Sequence, residues 1–342
     1  MSAGNQRVAP SRRRAVTVTL LVGAIAALVG LNLSMGAVVI APSEVFGVLA
    51  RRFGVDWGPD PGPSFDAVVW TIRMPRVLLG ILVGAGLAGA GAALQGVFRN
   101  PLADPQLLGI GPGASIGAVI GAVAGGVQGS IAAGTAAGVV TALVVRRLAR
   151  RAAGDPARFI LVGVALGAAL TAWVGFIVFA SDRSTVPPME FWLLGSLSAA
   201  TWRGFGTALV IVVAASAVLL VAGRSLDLLA LGEREARHLG VDVDLTVTSM
   251  LMAVGAVTGA TVGAVGVVGF VGLVVPNAAR RLVGPSHRFL LVVSMLGGAG
   301  FVLAADLVAR TLISPVEIGV GLVTALVGGP VLLILLRRAR LA

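Results

Sequence analysis

The chain contains no cysteine, no lysine and no tyrosine, and only two histidines. Without cysteine it can form no disulfide, thiolate metal ligand or cysteine nucleophile. Without lysine it cannot build the glycine-rich loop ending in Lys-Ser/Thr that cradles nucleotide phosphates. His238 and His287 are isolated and far apart, so a histidine metal centre is not expected. Charge is also scarce: only 12% of the 342 residues are charged, and no long polar segment could form a separate enzyme domain.

Apolar residues fill the space instead. They make up 57% of the sequence and fall into about ten runs separated by short polar gaps. A helix needs roughly 20 mostly apolar residues to cross a hydrocarbon layer about 30 Å thick. The sequence therefore predicts an all-α, polytopic membrane protein with one bundle over 15–338, a tail at 1–14 and a tail at 339–342. The 48 glycines lack Gly-X-Y periodicity, which excludes collagen, and suit close helix approach in lipid.

The net charge of +11 comes entirely from arginine, and its placement argues against a nucleic-acid surface. Arg12–Arg14 precede the first run, Arg146, Arg147, Arg150, Arg151 and Arg158 fill one gap, and Arg337, Arg338 and Arg340 close the chain. Basic residues concentrate on the cytoplasmic side of membrane proteins, so both termini are expected there. The basic start followed by Ala15–Leu33 also resembles a signal peptide. That run exceeds the 7–15 apolar residues of a signal core, which favours a retained span.

Ten spans are expected near Ala15–Met35, Val77–Val97, Leu107–Val127, Ile131–Val145, Phe159–Ala180, Phe205–Ala222, two within the uncharged run Leu245–Pro276 and its extension to Arg281, Phe289–Ala309, and Ile318–Leu336. That uncharged run is too long for one span and should turn within Gly263–Gly272. Met189–Leu197 is too short to cross. This topology puts 19 of the 26 arginines inside and 7 outside or at outer span ends. Gly117, Gly121 and Gly125 predict a face of small residues on the third span. The five tryptophans, Trp57, Trp70, Trp173, Trp192 and Trp202, are expected mostly as interfacial anchors.

Few polar groups in the runs carry chemistry. Gln95 suits either a translocation path or a hydrogen bond across helices. Asp306 and Arg310 have the spacing of an intrahelical pair, and Glu317 lies just beyond. No series of carboxylates crosses the midplane, which disfavours a proton-driven carrier. Gly109–Gly113 resembles a dinucleotide fingerprint but lacks the strand that should precede it. The gap 224–244 is the longest charged stretch that reads as helical, and span parity places it inside.

Several motifs carry a family resemblance. Arg73-Met-Pro-Arg76 precedes the second span, followed by Leu94-Gln-Gly-Val-Phe-Arg-Asn-Pro-Leu-Ala-Asp-Pro-Gln-Leu-Leu-Gly109. Leu229-Ala-Leu-Gly-Glu-Arg-Glu-Ala-Arg-His-Leu-Gly240, Gly269-Phe-Val-Gly-Leu-Val-Val-Pro276, Ala305-Asp-Leu-Val-Ala-Arg310 and Gly319-Val-Gly-Leu-Val-Thr-Ala-Leu-Val-Gly328 follow. In this order they resemble the permease family of type II ABC importers for iron–siderophore complexes, haem and cobalamin, over about nine-tenths of the chain.

The resemblance implies a ten-span subunit paired with an identical or related permease. It also implies two cytoplasmic ATPase subunits that hold ATP and Mg, and a binding protein that delivers cargo. This chain would bind no cofactor and catalyse no reaction. Leu228, Gly232, Glu233, Arg234, Glu235, Arg237 and Gly240 fall in the coupling segment, within the region 224–244. Arg73, Arg76 and Arg310 fall where binding-protein docking is expected, and Gln95 is the candidate path residue. Asn277 stands where many relatives have His, and with Ala279-Arg280-Arg281 it resembles the siderophore branch. An Fe(III)–siderophore complex is the expected cargo, with haem or cobalamin as the alternative.

Overall fold

A computed structural model describes residues 10–52, 54–55, 62–151, 156–180, 189–314 and 316–339. The regular structure among them is helical. The expected loop at Ser181–Pro188, and Trp57, lie outside the described residues.

The elements are α1 (Pro10–Ser34), α2 (Pro42–Arg52), α3 (Pro63–Ala67), a π-helical turn (Val68–Arg73), α4 (Met74–Val97), α5 (Ile110–Arg151), α6 (Pro156–Ala180), α7 (Met189–Leu194) and α8 (Trp202–Val221). They continue with α9 (Gly223–Leu229), α10 (Glu233–His238), α11 (Val243–Val265), α12 (Val271–Val283), α13 (His287–Thr311) and α14 (Val320–Ala339). Among the described residues, seven helices are long and apolar enough to cross a membrane, where α3, the π-turn and α4 count as one and α5 as one.

The third and fourth expected spans are the two arms of α5. Its helical dihedrals fail at Gly125 and at Gly126, where φ is +57°. The chain reverses there. A Cβ placed on Gly121 would lie 2.1 Å from the carbonyl oxygen of Gly129, and one on Gly113 would lie 2.2 Å from Thr141 Oγ1. Of the expected small-residue face, Gly117 and Gly121 lie against the other arm, while Gly125 belongs to the turn.

The core forms where glycine allows backbones to touch. α11 lies along α5 and α4 along α13. Built Cβ atoms would lie 2.3 Å from the Gly255 carbonyl oxygen at Gly138, and 2.1 Å from the Gly298 carbonyl oxygen at Gly84. No larger residue fits either crossing without separating the helices, which is how membrane helices gain dispersion contact.

Side-chain oxygens fix some helix starts. Thr201 accepts from Gly204 N at 3.1 Å and Asp242 accepts from Leu245 N at 2.9 Å, each using a donor that an N-terminal turn leaves free. The expected turn within 263–272 is the break between α11 and α12. Gly266 has φ +74° and Phe270 has φ +65°. A bulky residue in the left-handed region is strained and must be held by its surroundings. Here the Phe270 ring fills the space a Cβ on Gly328 of α14 would occupy, at 2.2 Å. Ser196 N donates to Val265 O and Val267 N to Trp192 O, so α7 and the residues after it satisfy the broken segment. Irregular backbone at membrane depth persists where protein covers it in this way.

Trp192 corrects the expectation of an interfacial anchor: only 1% of it is exposed. Trp70 and Trp202 pair instead, with ring centroids 5.1 Å apart and Trp202 Nε1 donating to the Trp70 carbonyl.

Candidate functional site

Polar side chains gather at both ends of the bundle. At the end where α1 finishes, the π-turn delivers Arg73 and the next turn of α4 delivers Arg76. A π-turn widens the helix by one residue and often marks a site under constraint. Arg73 donates to the carbonyls of Leu33, at 2.5 Å, and Val38, tying the exit of α1 to α4. Arg76 Nη2 lies 2.9 Å from Asp306 Oδ1, and Nη1 lies 2.9 Å from Glu317 Oε2. Arg310 donates to Asn32 through both its backbone and side-chain oxygens, at 2.5 and 2.8 Å. Its Nε stands 3.9 Å from Asp306, so the i,i+4 pair exists but is the weaker one. Asp306 belongs first to Arg76. Four separate segments, α1, the π-turn running into α4, α13 and the residues just before α14, are joined here through buried guanidinium groups.

The opposite end carries the charged segment. α9 is anchored by Leu226 and Leu229, and α10 by Ala236, all at most 4% exposed. Gly232, with φ +130°, turns the chain between them. Glu233, Arg234, Glu235 and Arg237 are exposed, and so are Leu231 at 63% and Leu239 at 58%. Acidic residues open α10 and basic residues close it, matching the helix dipole. Arg237 and Arg146 both reach Asp244, at 3.0 and 3.1 Å.

At this end of the bundle lies a polar network that is largely buried, with the Asp227 side chain about one-third exposed. Asp227 on α9 accepts from His287 N at 2.6 Å and from Ser286 Oγ at 3.0 Å, and His287 Nδ1 is 2.9 Å away. A carboxylate accepts only, so Nδ1 carries the proton. Gln95 donates to the Gly272 carbonyl at 3.1 Å and accepts from Arg280 at 3.0 Å. Asn277 donates to the carbonyls of Pro101 and Leu273, at 2.9 and 2.8 Å. Asp104 accepts from Gln106 N at 2.8 Å and is only 2% exposed. Burial without a cationic partner in contact raises its pKa from 3.8 to about 6, against the lowering effect of the Gln106 and Leu107 amides. The Asn277 bond to Pro101 docks the connection 98–109 onto α12.

The match to known proteins covers nearly the whole chain. Residues 19–338 match the model of the FecCD transport family. The chain belongs to the FecCD transport family. The cobalamin import system permease protein BtuC of Halobacterium salinarum is 41% identical over 80% of this chain and 74% of its own. The hemin transport system permease protein HmuU of Yersinia pestis is 37% identical over 92% of this chain and 96% of its own. A solved chain described as an inward-facing conformation of a metal-chelate type ABC transporter is 30% identical. It covers 94% of this chain and 98% of itself, with a TM-score of 0.78. The protein is thus an ABC importer permease of the metal-chelate, FecCD type.

Within this FecCD permease, the expected docking arginines are not surface groups. Arg73, Arg76 and Arg310 are 5–7% exposed, and each is bonded to its own chain. A buried guanidinium spends its donors on carbonyls and carboxylates from neighbouring helices, so binding-protein docking does not follow from this geometry. Gln95 is 3% exposed and bonds to two parts of α12, which makes it a link between α4 and α12. Of the expected coupling residues, Glu233, Arg234, Glu235 and Arg237 are exposed, Leu228 is half-buried, Gly232 is buried and Gly240 takes a second left-handed turn of φ +83°.

Four residues were not singled out from sequence. Asp104 and Asp227 read as ordinary acids, because nothing in one sequence marks the burial of Asp104 or the partners of Asp227. Leu231 and Leu239 carried a signal: apolar residues beside glycines in an otherwise charged segment.

Proposed function

We propose that this permease crosses the membrane ten times and passes a metal chelate inward, driven by ATP hydrolysed on two separate cytoplasmic subunits that hold ATP and Mg. The ten crossings are α1, the continuous helix 63–97, the two arms of α5, and α6, α8, α11, α12, α13 and α14. Both termini then face the cytoplasm, as the arginine distribution favours. At about 20 Å, the 13 residues of α12 cross only part of the hydrocarbon, and the break at 266–270 completes that layer.

The observation that carries the reading is the exposed face of α10 and its flanks. Glu233, Arg234, Glu235 and Arg237 stand beside exposed Leu231 and Leu239, at the end that this topology places in the cytoplasm. Charge paired with accessible apolar surface suits a soluble protein partner, here the ATPase. A second permease subunit completes the route, and an extracytoplasmic binding protein supplies cargo.

The cargo reading is a large metal chelate carried without inner-shell ligation by this chain. The described residues hold no cluster of three or more His, Cys, Asp or Glu able to bind a metal. A ferric siderophore is the first candidate. A corrinoid or haem is the second reading, favoured by the names of the cobalamin and hemin permeases at 41% and 37% identity. Vesicles reconstituted with the permease, its ATPase and its binding protein should accumulate one of these three labelled chelates only when ATP reaches the ATPase. Uptake of the corrinoid or haem, with none from a siderophore panel, reverses the cargo order. Uptake without ATP overturns the mechanism.

A further inference from the structure

Helix α13 is capped from outside its own sequence. Ser286 occupies its N-cap position, yet its side chain accepts no bond from the helix's first turn. Ser286 Oγ donates instead to Asp227 Oδ2, while Asp227 Oδ1 takes the His287 amide and ring Nδ1. The carboxylate comes from α9, directly before the exposed α10 face.

The contact continues inward. His287 is 4% exposed, and its Nε2 would lie 2.7 Å from a Cβ on Gly96. Gly96 follows Gln95, whose amide joins Gly272 and Arg280 of α12. By covalent connection the segment 228–240 leads only to α9 and, forward, to α11. Asp227 adds a polar route to α13, and the His287 ring packs beside Gly96 of α4.

We propose that Asp227 is a positioning residue that transmits movement of the 228–240 segment to α13, so that α11 and α13 respond together to the ATPase. The proposal rests on the coupling reading above. Its physical content is directional. Apolar contacts such as Leu226 against Gly96 permit sliding. Three donors converging on one carboxylate do not, because charge-assisted hydrogen bonds are strong and geometrically selective.

The test uses the complete reconstituted transporter and reads cargo moved per ATP hydrolysed. Asp227→Ala should lower that ratio at least fivefold while hydrolysis continues. Asp227→Asn keeps one acceptor oxygen and should lower it about twofold, and it carries the test if the Ala variant does not assemble. Ser286→Ala, which removes one donor, should have a smaller effect. A purely structural role would instead reduce the yield of transporter, with uptake and hydrolysis falling in proportion. That proportional fall, or a wild-type ratio in Asp227→Asn, overturns the proposal. The coupling reading is checked separately with Glu233→Ala/Arg234→Ala. Normal ATPase binding and uptake in that variant would sink the reading itself, whatever Asp227 does.

Discussion

Asp104 offers the most quantitative check on this structure. Its folded pKa of about 6 lies above its ordinary value of 3.8. At about 1.36 kcal/mol per pKa unit, the ionised carboxylate costs the folded state about 3 kcal/mol. The sign follows from proton linkage. Between the two pKa values the folded state binds more protons than the unfolded state, so stability falls as pH rises. The penalty is absent below pH 3.8, reaches about half its full size near pH 5, and is complete above about pH 7.

Asp104→Asn removes the charge and keeps an oxygen for the Gln106 amide, which now bonds Asp104 Oδ1 at 2.8 Å. The variant should therefore match the wild type near pH 4 and exceed it by up to about 3 kcal/mol at pH 8. Unfolding of purified permease in detergent, followed at several pH values, measures the difference. Other titrating groups cancel because both proteins carry them. A pH-independent difference, or a variant less stable than wild type at pH 8, would refute the burial argument. It would also mean that another group compensates the carboxylate beside Gly272.

Three further outcomes are expected. Arg76→Met should destabilise the permease by about 3–5 kcal/mol, because Asp306 loses its closest cation while its side chain is 2% exposed. Arg76→Met/Asp306→Leu should recover part of that loss in thermal unfolding, and a double variant as unstable as the sum of the singles would argue against the pair. Gly84→Ala should cost about 1–3 kcal/mol by pushing α4 from α13, where a Cβ meets the Gly298 carbonyl oxygen at 2.1 Å. Folded yield and melting temperature read this out, and wild-type values would mean the crossing is looser than described. Exchanging the charges in Glu233→Arg/Arg234→Glu should weaken co-purification with the ATPase at least severalfold while leaving membrane insertion unchanged; full co-purification would remove these side chains from the interface.

Much of the helix plan was legible because bilayer thickness imposes a length on apolar runs. The break after Val265 was readable from the same constraint, since an uncharged run of that length must turn. What periodicity could not supply was the partner of each polar group. Asp306 and Arg310 have helical spacing, yet the closer partner of Asp306 is Arg76, 230 residues away in sequence. Arg73 could be read as an outward-facing charge only while the carbonyls of Leu33 and Val38 were unplaced. Trp192 had the position of an interfacial anchor, and the fold buries it against a backbone break that no single sequence displays.

The same reasoning separates the two ends of the bundle. At the end holding Arg73, Arg76 and Arg310, charges are consumed internally and four segments become one rigid unit. At the other end, charges on α10 remain exposed, and the carboxylates of Asp227 and Asp104 sit at joints between segments. Rigid closure on one side and polar joints on the other is the distribution a lever requires. Force entering at α10 is carried to α13 through the Asp227 hydrogen bonds, whereas the far end offers buried ion pairs whose separation would leave charge uncompensated. Motion should therefore be largest near α9, α10 and the connection 98–109, and smallest around Asp306. Hydrogen exchange on the assembled transporter, with and without ATP, should show this contrast. Equal changes in protection at Asp306 and at Asp227 would remove the rigid end as a fulcrum.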